Sequence, residues 1–415
     1  MKRECGDGTS GPNPATITAE APGTASITAA CSPPTCNNSL PNAAPPYTVY
    51  PQYSLNVVTA SVSGSTTTAV YAASSNSTTL VPISTSNNAA GTAVTLPNLP
   101  NSALMDPSGS FLYLGSSSGL MQVNLLTSTV TAYTVNGTVV AISPDGRYLL
   151  ISDSVANNVY YFATASGNVV YQASSFTTSS SDYTPDSEFN EWVNGTTLTS
   201  GFQTGVQTGF PGNGMTTLPY TTNALGIIAQ GGLTYITGSN PNEVDVRSTC
   251  NQSEVQTLSA NAPTLIGAIP NGTGAVAVDS PSVDVISTPS TLSQGCPVTT
   301  QSTLSSFNMG VGNFNARQLF FSFDSTRAWI ISDQPGLMYF NLQSSTPVVI
   351  PYEGGVMAYS GGITLDGTQV YVGASDGAVH RIDVASGADV QQLGVALKDS
   401  NGNLVIPNLV TVQPH

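Results

Sequence analysis

A short polar turn that feeds an apolar strand recurs along this chain, and the recurrence restricts the fold more than any other feature. Pro144-Asp145-Gly146-Arg147-Tyr148-Leu149-Leu150-Ile151-Ser152 is one copy; others are Pro107 to Gly115, Phe323 to Ser332 and Leu365 to Gly373. Weaker copies start near Ser63-Gly64 (strand Ala69 to Ala72), Gly231-Gly232 (Leu233 to Thr237) and Asn271-Gly272 (Ala275 to Val278). A second strand follows each copy, as at Leu120 to Leu125, Val159 to Phe162, Glu243 to Val246, Val283 to Ile286, Leu337 to Leu342 and Val379 to Val384. Another apolar stretch precedes it, as at Val139 to Ile142, Leu225 to Ile228, Leu265 to Ile269, Leu319 to Phe323 and Ile363 to Leu365. A fourth, more polar strand fits before the next unit, as at Val169 to Gln172.

The turns return roughly every 37–53 residues, the period of a four-stranded propeller blade. One such meander cannot bury both of its faces, whereas a closed ring packs every sheet between two neighbours and leaves only short edges. The expected fold is all-β, a seven-bladed β-propeller with eight blades as the alternative. Seven starts are legible, near 63, 107, 144, 231, 271, 324 and 366. The gap from 144 to 231 is double the period, and Tyr183-Thr184-Pro185-Asp186-Ser187 is the turn that an eighth blade would use. No clear apolar strand triplet follows Ser187, so the expectation is seven blades with an insertion at about 174–223. The tail Asn403 to Val412 reads as one or two strands, with Leu409 to Val412 expected to close the ring on the first blade around Leu55 to Ala60.

The turn, the apolar-Asp/Asn-apolar strand after it and the Ser-Gly of Ile382-Asp383-Val384-Ala385-Ser386-Gly387 together resemble the YVTN-type repeat of bacterial surface propellers and of lactonase-like propeller proteins. The resemblance covers about residues 50–412 and is cleanest at 139–170 and 361–394. It implies the fold well and the activity poorly, because one scaffold hosts many functions. Residues 1–50 differ. Ala15 to Ala19 and Gly23 to Ala30 resemble the last strands of a bacterial immunoglobulin-like domain, so an extended or Ig-like remnant precedes a Pro-rich linker, Pro41 to Pro51, and residues 51–415 form the propeller.

Charge narrows the function classes. With 23 acidic and 8 basic residues the net charge is −15, and a phosphate backbone is repelled; nucleic acid is not an expected partner. Only 7% of residues are charged, and Ser and Thr supply about a quarter of the chain, a surface that suits an acidic or variable exterior. No apolar run approaches the ~20 residues of a membrane helix. Two histidines, His380 and His415, leave little material for a zinc cage or a Ser-His-Asp triad, and nothing in the sequence asks for a cofactor. His380, in Val379-His380-Arg381-Ile382, is expected on a solvated or edge face; lactonase-like hydrolysis is the catalytic alternative.

The five cysteines form no CxxC pair, so disulfides fit better than metal. The expected bridges are Cys31–Cys36 and Cys250–Cys296, which imply an oxidising, extracellular or cell-surface setting; Cys5 is left over. Cys5-Gly-Asp-Gly resembles the first residues of a mature bacterial lipoprotein, although neither an apolar lipobox nor a signal peptide precedes it, and a plain tail cysteine is the expectation. Asn-X-Ser/Thr sequons at Asn37, Asn76, Asn136, Asn194, Asn251 and Asn271 leave glycosylation open.

Asp106, Asp145, Asp324 and Asp366 recur at the turns and are expected to brace them. The stretch 174–223 is the least repetitive. It holds Asp182, Asp186, Glu188, Glu191 and Trp192 among further aromatics, and carboxylates beside aromatic rings suit a sugar or a Ca²⁺ ion, though not at EF-hand spacing. The competing expectation is a loop whose aromatics cover a propeller face. These readings converge on a secreted or surface-displayed structural or binding module. Its partners would be a protein or further copies, engaged through the N-terminal segment, with carbohydrate as an alternative.

Overall fold

The computed structural model describes residues 69–414 apart from 179, 185–188, 203–213, 228–231, 240–241, 250–251 and 289–300. Within them, eight antiparallel sheets follow one another along the chain. Blade 1 takes its innermost strand from the far end of the sequence: Leu409–Val412 pairs with Ala69–Ala73, which pairs with Thr79–Ser84. Blades 2 to 8 are four-stranded meanders at 102–132, 138–174, 180–217, 221–259, 265–308, 316–351 and 358–394. The innermost strands lie each against the next, from Ser102–Met105 through Ala358–Ile363 to Leu409–Val412 and back, so the ring closes. The sole helical turn among the described residues is Glu353–Gly355, and no described helix is long and apolar enough to cross a membrane.

The core consists of eight buried clusters, one per seam between neighbouring blades. Side chains alternate across a strand, so a sheet covered on both sides feeds two seams and reads as continuous apolar sequence. Leu149 and Ile151 enter the seam of blades 2 and 3, and Leu150 enters that of blades 3 and 4. Val276 and Val278 face blade 7 while Ala275 and Ala277 face blade 5.

The expected count of seven gives way to eight because 174–223 is a blade and not an insertion. Its strands are Ser180–Tyr183, Phe189–Asn194, Thr197–Phe202 and Gly214–Thr217; of the turn that the alternative reading put at Tyr183 to Ser187, residues 185–187 lie outside the described residues. The apolar signal is weak because Asn190, Glu191 and Thr199 occupy interior places, at 0–1% exposure. Hydrogen bonds make that tolerable: Tyr161 Oη donates to Asn190 Oδ1 at 2.7 Å, and Asn190 Nδ2 donates to the Asp182 carbonyl at 2.8 Å.

Ring closure also differs from expectation. Leu409–Val412 meets Ala69–Ala73, whereas Leu55 to Ala60 lie outside the described residues, as do the Ig-like segment and all five cysteines. In blade 8 the innermost strand is Ala358–Ile363 and not Ile363 to Leu365. Its glycines hide it from an apolar reading but fit the crowded pairing: a Cβ on Gly361 would sit 2.3 Å from the Tyr371 carbonyl.

The turn acids brace their turns. Ser143 Oγ donates to Asp145 Oδ1 at 2.7 Å and accepts Tyr148 N–H at 3.0 Å; Ser322 with Asp324 and Thr364 with Asp366 repeat the carboxylate contact, each at 2.6 Å. Blade 2 exchanges the two groups. Asp106 stands in the place of Ser143, accepts Phe111 N–H at 3.0 Å, and takes the Ser108 hydroxyl at 2.7 Å. Partial burial works against ionisation of Asp324, yet bonds from Ser322 and Thr326 hold its carboxyl below the ordinary range.

Candidate acidic site between blades 4 and 5

Asp182 and Glu191 are direct cross-strand partners in blade 4, so both carboxyls point to one face, the one that meets blade 5. Asp182 Oδ2 accepts Ile227 N–H, on the unpaired edge of the next innermost strand, at 2.8 Å, and Ser180 Oγ accepts Leu225 N–H at 3.0 Å two residues earlier. Similar side-chain links join other innermost strands: Ser102 Oγ accepts Val139 N–H, Ser360 Oγ accepts Val410 N–H, and Gln318 exchanges two bonds with Gly361. These contacts satisfy the inner strand edges that a ring leaves open.

Glu191 lies deeper, at 0% exposure, where the Thr234 hydroxyl donates to Oε2 and the Gln252 side chain stands beside the carboxyl. Beyond it Asp245 accepts Tyr220 Oη and Arg247 Nε, each at 2.6 Å, and Arg247 Nη1 donates to the Gln252 carbonyl at 2.7 Å. Burial pushes the Glu191 carboxyl up to about 7, against the pull of Thr234, Gln252 and the Arg247 charge, and the facing Asp182 adds to the rise. Burial likewise lifts Asp182 to about 6, opposed by its two backbone N–H bonds. Asp245 is also raised by burial despite Arg247. Burial in the seam therefore favours the protonated forms of these acids.

Trp192 is 0% exposed in the seam with blade 3; its Nε1 donates to Tyr161 Oη at 3.1 Å, and Phe176 packs edge-on at 5.6 Å. It offers no exposed aromatic platform to a sugar. Tyr183 and Tyr220 are buried as well, so these aromatics build seams and do not cover a face. Asp186 and Glu188 lie outside the described residues. The structure thus brings together Asp182 and Glu191, sends Trp192 to the opposite face of the blade, and adds Tyr220, Thr234, Asp245, Arg247 and Gln252. Tyr220 was among the aromatics read in 174–223, whereas Asp245 and Arg247 were missed because Glu243-Val244-Asp245-Val246-Arg247 looks like an ordinary alternating strand.

His380 is not solvated. It is 0% exposed in the seam of blades 7 and 8, with Nδ1 at 2.6 Å from Asp389 Oδ2, Nε2 at 3.0 Å from Asp376 Oδ2, and the Tyr352 ring edge-on at 6.1 Å. At the ring's centre, the innermost strands of blades 7, 8, 1 and 2 enclose a cavity of about 460 Å³ with no titratable residue in its lining; Phe323, half exposed, stands at one end. A second pocket of about 490 Å³, between blades 3, 4 and 5, is lined largely by Thr138, Ser152, Ser154, Thr177, Thr178 and Asn194.

Three solved structures are similar to this chain in fold. One is dihydro-heme d1 dehydrogenase NirN, TM-score 0.60 at 13% identity, with 79% of this chain and 73% of that one covered. Another is the propeller domain of Cps50 (Swd1) from Myceliophthora thermophila, TM-score 0.51 at 11% identity, covering 69% and 95%. The third is a Desulfotomaculum acetoxidans protein of unknown function, TM-score 0.50 at 14% identity, covering 84% and 99%. The chain is a β-propeller. At such identities the likeness shows the fold alone, and neither a protein-family model nor a curated protein matches the chain in sequence.

Proposed function

We propose that this propeller is an exterior structural and binding module that associates with protein partners, further copies of itself included, through uncharged surfaces. The observation that carries this reading is where the reactive side chains sit. Asp182, Glu191, Trp192, Asp245 and His380 are consumed within seams, and the central cavity is lined without a titratable group. The described arginines are engaged too: Arg317 lies over the Tyr359 ring at 4.1 Å, Arg327 over Tyr339 at 5.4 Å, Arg147 and Arg247 pair with Asp145 and Asp245, and Arg381 donates to Gln369. Faces built mainly of hydroxyls and amides approach one another with little repulsion, because a net −15 spread over a large ring is screened within about 8–10 Å. Light scattering of the intact chain tests the reading. Assembly that persists in high salt is expected, and a monomer at every concentration overturns it. A chain lacking residues 1–46 then shows whether the N-terminal segment carries the contact, since an unchanged mass removes it from that role.

Carbohydrate is a second reading, now favoured by the hydroxyl- and amide-lined pocket between blades 3, 4 and 5 and not by Trp192. Calorimetric titration with neutral oligosaccharides checks it, and loss of heat in Asn194→Ala supports that pocket.

A further inference from the structure

The third strand of the blade holds a side chain that turns into the preceding seam at one fixed place: Met121, Asp245, Asp284, Met338 and His380, in register with Leu114, Ile236, Ala277, Ile330 and Val372. Where that side chain is ionisable, its neighbours should answer its charge. Arg247 and Tyr220 answer Asp245, and Asp376 and Asp389 answer His380.

Asp284 is the exception. It is 1% exposed, neither carboxyl oxygen accepts a hydrogen bond of ordinary length and angle among the described residues, and the polar side chains beside it are Ser306 and another acid, Asp279, itself 5% exposed. Asp279 Oδ2 accepts Asn261 N–H at 2.6 Å, which leaves its second oxygen outside that bond. No described Lys, Arg or His forms an ion pair with either acid. Ser306, directly across from Asp284 on the outermost strand, is exposed and gives water a way in. A buried carboxylate without a counter-charge is costly, and two side by side are worse. The arrangement asks for positive charge from a donor set made only of oxygen.

We propose that Asp279 and Asp284, with the Ser306 hydroxyl, form a site for a divalent cation of the calcium type that ties the second and third strands of blade 6 to its outermost strand. Calcium suits the site because it accepts carboxylate, hydroxyl and water oxygens in loose geometry, whereas magnesium demands a near-ideal octahedron and gives up water reluctantly. No group of three or more His, Cys, Asp or Glu gathers among the described residues, so water and backbone carbonyls complete the shell.

The test uses the intact chain, stripped with EDTA, with Ca²⁺ alone as the probe. Calorimetry should show one site, and about 1 mM CaCl₂ should raise the melting temperature by about 2 °C, given the affinities usual for exterior sites. Asp279→Asn and Asp284→Asn should abolish both effects, while Asp399→Asn, in an exposed loop, keeps them. Because Asn removes the repulsion, Asp284→Asn in EDTA should melt no lower than the parent, which separates loss of the site from failure to fold. An intact chain that binds no Ca²⁺, or an Asp284→Asn chain that still binds it, overturns the proposal. So does a stripped chain that gains stability from pH 8 to pH 6 through Asp284 and ignores Ca²⁺, for then the pair shares a proton.

Discussion

Replacing Glu191 with Gln should flatten the dependence of stability on pH. In the folded seam the Glu191 carboxyl titrates at about 7, against an ordinary 4.5 for an unfolded chain. Between those values the folded state keeps a proton that the unfolded state has released, so stability is greatest on the acid side and is lost as pH rises through 7. From pH 5 to pH 8 the loss is about 2–3 kcal/mol from Glu191, and Asp182, raised from 3.8 to about 6, adds about 1 kcal/mol. The acids whose pKa is lowered, such as Asp324 and Asp366, titrate below this window and do not offset it. For a ring of about 350 residues, 3 kcal/mol amounts to about 4 °C in melting temperature. Scanning calorimetry at pH 5 and pH 8, in EDTA, should show the parent melting lower at pH 8 and Glu191→Gln losing about 3 °C less than the parent; the variant keeps a pH dependence because Asp182 and Asp284, raised by burial to about 6 and about 7, titrate in the same window. A parent that is more stable at pH 8, or a Gln variant with the parent's full pH dependence, refutes the reasoning.

Three further outcomes follow from the seams. Trp192→Ala should destabilise by about 3–5 kcal/mol, read by urea unfolding, because it empties a fully buried site; a change below about 1 kcal/mol would mean that the ring is a surface platform after all. Deleting residues 409–415 removes the innermost strand of blade 1 and exposes Val70, Ala72 and Tyr371, so cooperative melting should be lost and a hydrophobic dye should bind; a truncated chain with the parent's transition contradicts closure by that strand. Asp106→Ala should cost about 1–3 kcal/mol and Asp145→Ala less than 1 kcal/mol by the same unfolding assay, since Asp106 carries two backbone N–H groups at 8% exposure and Asp145 sits in a more exposed turn.

The parts of the fold legible in the sequence are those where burial on both faces writes itself as runs of Val, Ile and Leu. Leu149 to Ile151 and Trp329 to Ile331 each show a second strand, and the turns before them mark the period. Blade 4 escaped because Asn190, Glu191 and Thr199 make its interior polar, and apolar counting cannot see the hydrogen bonds that hold Asn190 and Glu191. His380 escaped for the same reason: a strand between two blades has no solvated face, so alternation says which seam a residue enters and not whether it is wet. Asp182 and Glu191 were visible as carboxylates near one another, but their burial and their link to blade 5 depend on a neighbour whose place only the closed ring defines.

The account's central claim is that the side chains able to do chemistry are locked into seams, and the reactivity of His380 tests it most directly. Diethyl pyrocarbonate modifies accessible imidazoles, and peptide mass spectrometry reads each histidine separately. With 0% exposure and both ring nitrogens held by Asp376 and Asp389, His380 should stay unmodified in the native chain and react at the ordinary rate once the chain is unfolded in urea. Modification of His380 in the native protein at the unfolded rate would show an open, reactive imidazole and contradict the account.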